Sequence, residues 1–206
     1  PRYRSGAKRV VDVVAASVGL VVFAPLCFLI AAAIKIESGG PVLFRQRRLG
    51  RDGRPFIMLK FRTMKPQAEA ILERYLSERP DLRAEWESKF KLRNDPRMTR
   101  VGRWLRRFSL DELPQLLNVL AGDMSLVGPR PLPDYHHYAL PGWVQALRAA
   151  VRPGITGLWQ VSGRSALPLE DLARLDARYV LNWSLTMELA ILFRTIPVVL
   201  KGHGAA

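Results

Sequence analysis

The sequence predicts an α+β fold, mainly helical, that begins with a re-entrant membrane helix-break-helix. Three observations carry this. Val13 to Ile34 is a run of 22 residues without a charge, interrupted by Pro25 and flanked by basic residues on both sides. Two short apolar segments then stand on either side of a glycine-rich turn, the pattern of a small β-hairpin. Beyond residue 66 most of the chain carries apolar residues at helical spacing, in segments separated by Pro and Gly, the pattern of several amphipathic interfacial helices.

As a straight helix the apolar run would reach about 33 Å, enough for a hydrocarbon core of roughly 30 Å. The alternative is a buried helix of a soluble protein. A signal peptide does not fit, because Lys35-Ile36-Glu37 stands where a cleavage site belongs. A simple crossing is disfavoured twice over. Pro25 removes a backbone hydrogen bond and crowds the preceding turn. Basic residues also precede the run (Arg2, Arg4, Lys8, Arg9) and follow it (Lys35, Arg45, Arg47, Arg48, Arg51, Arg54), so neither end looks external. A hairpin that breaks at Ala24-Pro25 and returns to the same face satisfies both facts. Its arms, about 18 Å and 14 Å long, are too short to cross alone. Asp12 either pairs with a flanking arginine or stays solvated at the interface.

After the breaker Gly39-Gly40-Pro41, Val42-Leu43-Phe44 reads as a first strand and Pro55 to Phe61 as a second. Pro66 to about Lys91 predicts two amphipathic helices divided at Pro80-Asp81, and Val101 to Arg107 a short helix. Ser109 to Leu120 has apolar residues at 110, 113, 116, 117 and 120, a helical period stopped by Gly122. The Pro- and Gly-dense stretches Val127 to Pro133 and Arg152 to Arg164 read as loops, with helices at Trp143 to Val151, Leu169 to Tyr179 and Leu185 to Leu200. The last of these, apolar but for Glu188 and Arg194, suits a membrane interface better than a span.

The chain carries 32 Lys+Arg against 18 Asp+Glu, a formal net charge of +14 with a pI near 10.8, beside 49% hydrophobic residues. Disorder is excluded by the apolar content, and a disulfide framework or cysteine zinc site by the single Cys27. The charge points to an anionic partner: nucleic acid, acidic lipid headgroups or a phosphate-rich small molecule.

Ser109-x-x-Glu112 ahead of the apolar period is a capping box, and that role alone could account for Glu112. Asp111 is not needed for the cap. It falls in the first helical turn, where backbone N–H groups favour a carboxylate or a phosphate. Adjacent carboxylates near Arg103, Arg106 and Arg107 can hold a Mg²⁺ and a phosphorylated substrate together. Arg130, Arg152 and Arg164 sit on rigid or glycine-rich loops, where arginine can fork onto phosphate, or they are surface residues of a basic chain. Lys60 and Arg62, at the end of the second strand, are similar candidates. His136 and His137 lack a third ligand at metal spacing and read as surface residues. Tyr179, Trp159 and Trp183 belong either to an interfacial belt or to the core. No P-loop, dinucleotide fingerprint or His-based triad occurs.

Read together, these stretches resemble the monotopic phosphoglycosyl transferases, the bacterial sugar transferase family that starts glycan assembly on polyprenol phosphate. The resemblance rests on Lys8-Arg9-x-x-Asp12, Gly40-Pro41-Val42-x-Phe44, Lys60-Phe61-Arg62-Thr63-Met64, Asn94-Asp95-Pro96-Arg97 and Gly102-Arg103-x-Leu105-Arg106. It continues through Ser109-Leu110-Asp111-Glu112-Leu113-Pro114-Gln115, Gly122 to Pro131, and Arg152-Pro153-Gly154-Ile155-Thr156-Gly157.

The resemblance implies residues 1–38 as a re-entrant membrane hairpin and 39–206 as one catalytic region. The site would lie on the cytosolic face of the bacterial inner membrane. Starting at Pro1 rather than Met, the chain is expected to be part of a longer one. The implied reaction is Mg²⁺-dependent and ping-pong. Asp111 would attack the β-phosphorus of a UDP-sugar and release UMP; undecaprenyl phosphate would then take the sugar phosphate from the aspartyl intermediate. Glu112 would complete the acidic pair as metal ligand or acid–base partner, with Lys60, Arg106 and Asp176 around it. The family's frequent Ser-Pro at the membrane bend is Ala24-Pro25 here. The stretch Gly157 to Gly163 looks more like members that transfer a hexose phosphate, so UDP-glucose or UDP-galactose is the expected donor. Undecaprenyl phosphate and anionic membrane lipids are the other expected partners, with a homodimer as one allowed assembly and no role for nucleic acid. The competing reading is a basic membrane-anchored binding module without catalysis, for which an acid pair among arginines has no use.

Overall fold

The computed structural model describes residues 6–89, 92, 94–163 and 169–202. It is mostly helical with a small antiparallel hairpin and a long apolar N-terminal helix. Arg2, Arg4 and Arg164 lie outside the described residues.

That first helix, α1, runs from Gly6 to Ser38 with Pro25 inside it. The expected break at Ala24-Pro25 is therefore not an interruption of the helix. Losing one N–H leaves the remaining backbone bonds in place, and a proline can be absorbed within a continuous helix. What changes near Pro25 is contact with the rest of the protein. Ala16 and Leu20 pack with Leu116, Val119 and Met124. Further along, Leu26, Cys27, Ile30 and Ile34 pack with Phe61 and Leu105. Between these two zones Val21 to Pro25 is exposed around the whole helix, Val21 at 76%.

The predicted hairpin is present, antiparallel from Leu43↔Phe61 to Leu49↔Pro55; β2 (Pro55–Phe61) has the expected bounds, while β1 (Leu43–Leu49) continues through the basic residues beyond the expected Val42 to Phe44. Alternation sends Phe56 and Met58 into the core beneath it. The two helices divided at Pro80 are also present, as α2 (Ala68–Glu78) and α3 (Pro80–Lys89), with Pro80 at the first position of the second. Then come α4 (Arg100–Arg107), a 3-10 turn at Leu110–Glu112 and α5 (Gln115–Ala121). The chain ends with α6 (Asp134–Tyr138), α7 (Gly142–Ala149), α8 (Leu158–Ser162), α9 (Leu169–Leu181) and α10 (Leu185–Lys201). The single helix expected over Ser109 to Leu120 is thus divided, because Pro114 has no N–H with which to continue the turn.

A second, parallel pair is not expected from the sequence: β3 (Ser125–Val127), which ends where the first loop stretch is expected to begin, lies beside β4 (Gly154–Thr156), inside the second, in register Ser125↔Gly154 and Val127↔Thr156. Three residues per strand leave no periodicity to read. The pair requires glycine, since a Cβ on Gly154 would lie 2.1 Å from the Gly128 nitrogen.

Polar contacts tie both ends of α1 to this body. Lys8 is buried in an ion pair with Glu188 on α10, which also accepts from Tyr179 Oη and Trp183 Nε1, each at 2.7 Å. Tyr179, Trp183 and Glu188 therefore belong to the interior and not to an interfacial belt. Asp12 is neither solvated nor paired with arginine. It is 2% exposed and accepts at 3.0 Å from both Ser125 Oγ and the Leu126 amide. Arg9 donates to the Val119 (2.6 Å) and Leu120 (2.9 Å) carbonyls at the C-terminus of α5, where a cation suits the helix dipole. At the far end of α1 the Glu37 carboxylate accepts from the Arg100 (2.7 Å) and Val101 (2.9 Å) amides and caps α4 together with Thr99. Several of the flanking charges thus serve packing within the protein.

Candidate active site

The chain reverses sharply between α4 and the 3-10 turn. Ser109 sits at φ 54°, a left-handed conformation that costs a non-glycine residue energy and is found where surroundings enforce it. The expected cap does not form, since the Ser109 side chain makes no cap bond to the turn. Instead the Glu112 carboxylate faces two cations brought from distant segments. Its Oε1 accepts from Lys60 Nζ on β2 and from Arg130 Nη2, both at 2.8 Å. Lys60 Nζ also lies 3.8 Å from Asp111 Oδ2.

These contacts divide the two acids electrostatically. Burial disfavours the charge on Glu112, but Arg130 and Lys60 outweigh it and hold the carboxyl well below the usual carboxylate range. On Asp111, burial dominates and pushes the pKa above its ordinary value. Glu112 reinforces that shift, and Lys60, Arg106 and Arg130 only partly oppose it. Arg106 is held by its Nε on Thr63 Oγ1, at 3.1 Å. The result is one carboxylate locked in ion pairs and a second, 7% exposed, beside the same cations without such a lock.

Both acids line a cavity of about 1130 Å³, large for a small-molecule site. Lys60, Arg62, Arg106 and Arg130 contribute its polar wall. Apolar lining comes from Ala15, Gly19 and Phe23 of α1 and from Leu192 and Val199 of α10. A smaller chamber of about 170 Å³ adjoins it and shares Arg48, Lys60, Arg130 and Trp159 with it.

The remaining expected site residues are distributed differently. Arg62 lines the cavity but is committed to the end of α1, donating to Ser38 Oγ at 2.8 Å and to the Gly39 carbonyl. Arg152, expected to face phosphate, instead donates from Nε to the Gly122 carbonyl at 2.7 Å and does not line the cavity. Asp176, expected beside the acid pair, is buried against Arg148 away from it. Burial raises its pKa to about 6 despite that partner. Arg148 in turn donates to the Arg130 carbonyl, so Asp176 reaches the site only through the loop that carries Arg130. Arg164 lies outside the described residues. Ala24 and Pro25 are on the exposed middle of α1.

Sequence reasoning missed Arg48 and Gln115 and left Trp159 undecided. Arg48 looks like one more membrane-flanking charge, yet it is 9% exposed and pairs across the hairpin with buried Phe56. Its position in a strand facing Pro55 to Phe61 was the available signal, since every second residue of β1 must share a face. Burial together with nearby Arg130 lowers its pKa to about 10.

Asp111 and Glu112 are adjacent oxygen donors of the kind Mg²⁺ takes, a cation that accepts few protein carboxylates and keeps its other positions for water or phosphate. No group of three or more His, Cys, Asp or Glu suited to a metal occurs among the described residues.

Comparison with known proteins identifies the family. The family described as bacterial sugar transferase matches residues 3–202. The exopolysaccharide production protein ExoY of Rhizobium meliloti is 47% identical over 199 residues, covering 97% of this chain and 88% of that protein. The UDP-glucose:undecaprenyl-phosphate glucose-1-phosphate transferase of Caulobacter vibrioides is 48% identical over 207 residues, covering 96% of this chain and 71% of that protein. The undecaprenyl-phosphate galactose phosphotransferase of Salmonella typhimurium is 43% identical, and this chain spans 41% of its length. With the match extending from α1 through the acid pair to α10, the chain belongs to the bacterial sugar transferase family.

Proposed function

We propose that the protein transfers a sugar 1-phosphate from a UDP-sugar to undecaprenyl phosphate, as the first membrane step of exopolysaccharide, capsule or O-antigen synthesis. The observation that carries this reading is the cavity itself. A carboxylate beside three cations and apolar residues of α1 and α10 line the same space. The cations suit a diphosphate and the apolar residues a polyprenyl chain. The relatives' names point the same way, to UDP-glucose and to undecaprenyl-phosphate galactose or glucose transfer.

In this mechanism ionised Asp111 attacks the β-phosphorus of the UDP-sugar. The bond from that phosphorus to the bridging oxygen breaks, and the oxygen leaves with UMP. The sugar phosphate remains on the Asp111 carboxylate. An oxygen of the lipid phosphate then attacks the same phosphorus and the aspartate leaves, restoring its charge. Lys60, Arg106 and Arg130 stabilise the charge that gathers on the phosphoryl oxygens, and Glu112 keeps Lys60 and Arg130 in place. Asp111 and Glu112 would hold Mg²⁺, which neutralises diphosphate charge when bound.

The site would lie on the cytosolic face of the bacterial inner membrane. Two features support a monotopic arrangement. Helix α1 packs on the body on either side of Pro25 and leaves Val21, Val22, Ala24 and Pro25 exposed, an apolar stretch suited to lipid. On α10, Leu185, Leu189, Phe193, Ile196 and Leu200 form an exposed apolar face at helical spacing.

The test is a donor labelled in the sugar phosphate, incubated with the protein and Mg²⁺ but without lipid acceptor. One equivalent of UMP should appear while the label stays on Asp111, and undecaprenyl phosphate should then remove the label. A protein that releases UMP only when the acceptor is present has no aspartyl intermediate.

A further inference from the structure

We propose that the small chamber beside the acid pair receives the sugar ring of the donor, with Arg48, Gln115 and Trp159 as its hydrogen-bond donors. This rests on the phosphosugar-transfer reading given above. The chamber adjoins the main cavity along Lys60 and Arg130, the two cations that hold Glu112.

Several donors around it have no partner among the described residues: Arg48 Nε and Nη1, Gln115 Nε2 and Trp159 Nε1. Arg48 and Gln115 are 9% and 2% exposed, so bulk water does not serve them. A fourth nitrogen, Arg48 Nη2, is held by Gln46 Oε1 at 2.6 Å, which fixes the guanidinium on the chamber side of β1. Buried donors left unpaired are costly and few in folded proteins. All four unpaired donors belong to side chains that line this one chamber, so side-chain rotations can turn them toward an occupant that completes them.

Every unpartnered group named is a donor, so the occupant presents acceptors. A hexose does so through its hydroxyl oxygens, and its C–H face can lie against the indole of Trp159. Position then selects the sugar over the other parts of the substrate. With the β-phosphorus at Asp111, the diphosphate occupies the ground of Lys60, Arg106 and Arg130. The polyprenyl chain takes the apolar wall of α1 and α10. The sugar is the group attached directly to the β-phosphate, one bond beyond the cations that border the chamber.

The experiment measures UMP release by the full chain with UDP-glucose, UDP-galactose and UDP-glucose lacking single hydroxyls, and inhibition by UDP. In the wild type, at least one deoxy donor should lose kcat/KM by about 100-fold or more, because a site built to bond a hydroxyl rejects its absence. In Trp159→Phe, which keeps the ring, or Gln115→Met, discrimination at one hydroxyl should collapse to within about threefold while inhibition by UDP stays within twofold. Equal use of all deoxy donors by the wild type overturns the proposal without any variant having to fold. So does a parallel loss of UDP and UDP-sugar binding in both variants, which would assign the donors to the nucleotide or to the fold. A wild-type protein that releases UMP from no nucleotide sugar overturns the transfer reading itself, and that result is distinct because every arm is normalised to the parent donors.

Discussion

Lys60 Nζ lies 2.8 Å from Glu112 Oε1, close enough for a hydrogen bond, while the neighbouring Asp111 Oδ2 stands 3.8 Å from the same nitrogen. A single lysine thus treats two adjacent acids differently. Glu112 is bonded and charge-compensated, and with Arg130 on the same oxygen it has little freedom to react. Asp111 remains near cations that can receive a phosphoryl group but is not tied to them.

That asymmetry predicts different outcomes for the two isosteric amides. Asp111→Asn should abolish UMP release, with kcat lowered by about 10⁴-fold or more, as for other nucleophiles removed from a working set. Glu112→Gln keeps the shape but loosens Lys60 and Arg130, and should leave residual, label-forming turnover. Single-turnover UMP release and trapping of labelled protein distinguish them. Full activity in Asp111→Asn would remove Asp111 from the mechanism.

In the proposed mechanism Asp111 attacks in its charged form, and its pKa is raised chiefly by burial. Single-turnover rate should therefore rise with pH along a limb that lies above the ordinary aspartate value of about 3.9. Lys60 opposes the shift, so Lys60→Met should move the limb further up. The stability consequence has the opposite sense. A carboxyl whose pKa is raised by folding contributes stability at low pH that is lost as pH rises through the folded-state value. A limb at or below the ordinary value, measured by rapid quench, would contradict the assigned electrostatics.

Arg130 should act through both Glu112 and the substrate. Arg130→Met should lower kcat/KM by about 10²–10³-fold, the range for removing one preorganised donor to developing charge. Arg130→Lys should recover only part, because an ammonium cannot keep the fork that reaches Glu112 and still face a phosphate. Steady-state UMP release on the three proteins reads this directly.

Much of this architecture was legible in the sequence, and the failures share a cause. The uncharged run, the β1–β2 hairpin, the helix division at Pro80 and the last helix all depend on local composition, and all are present. Ser109-x-x-Glu112 reads locally as a capping box, which leaves the role of Glu112 open; partners 52 and 18 residues away, Lys60 and Arg130, decide it. Arg152 shows the same limit: a loop arginine reads as a phosphate ligand until its carbonyl partner, Gly122, is known. Charges flanking the apolar run look alike in sequence, yet Lys8 and Arg48 are buried while Arg45 and Arg47 are exposed. Burial of a long polar side chain is a tertiary fact, and so is the parallel β3–β4 pair, whose strands are too short to carry a period.

The close approach of Gly102 to Thr63 gives the last prediction, which links packing to chemistry. A Cβ added at Gly102 would lie 2.0 Å from the Thr63 carbonyl oxygen, with nothing but backbone available to yield. Thr63 Oγ1 also holds Arg106, so moving α4 off the end of β2 displaces a cation that faces Asp111. Gly102→Ala should therefore cost about 3 kcal/mol, at the upper part of the range for overpacked sites. For a chain of this size that lowers Tm by roughly 6–12 °C. UMP release measured well below the new Tm should also fall, because the geometry of Arg106 is altered in the folded protein. Gly142→Ala is the control. Gly142 begins α7, a Cβ there meets nothing within 4 Å, and the extra methyl should leave stability unchanged or raise it by up to about 1 kcal/mol. If Gly102→Ala matches this control in both Tm and rate, α4 and β2 are not in the close contact that sets Arg106.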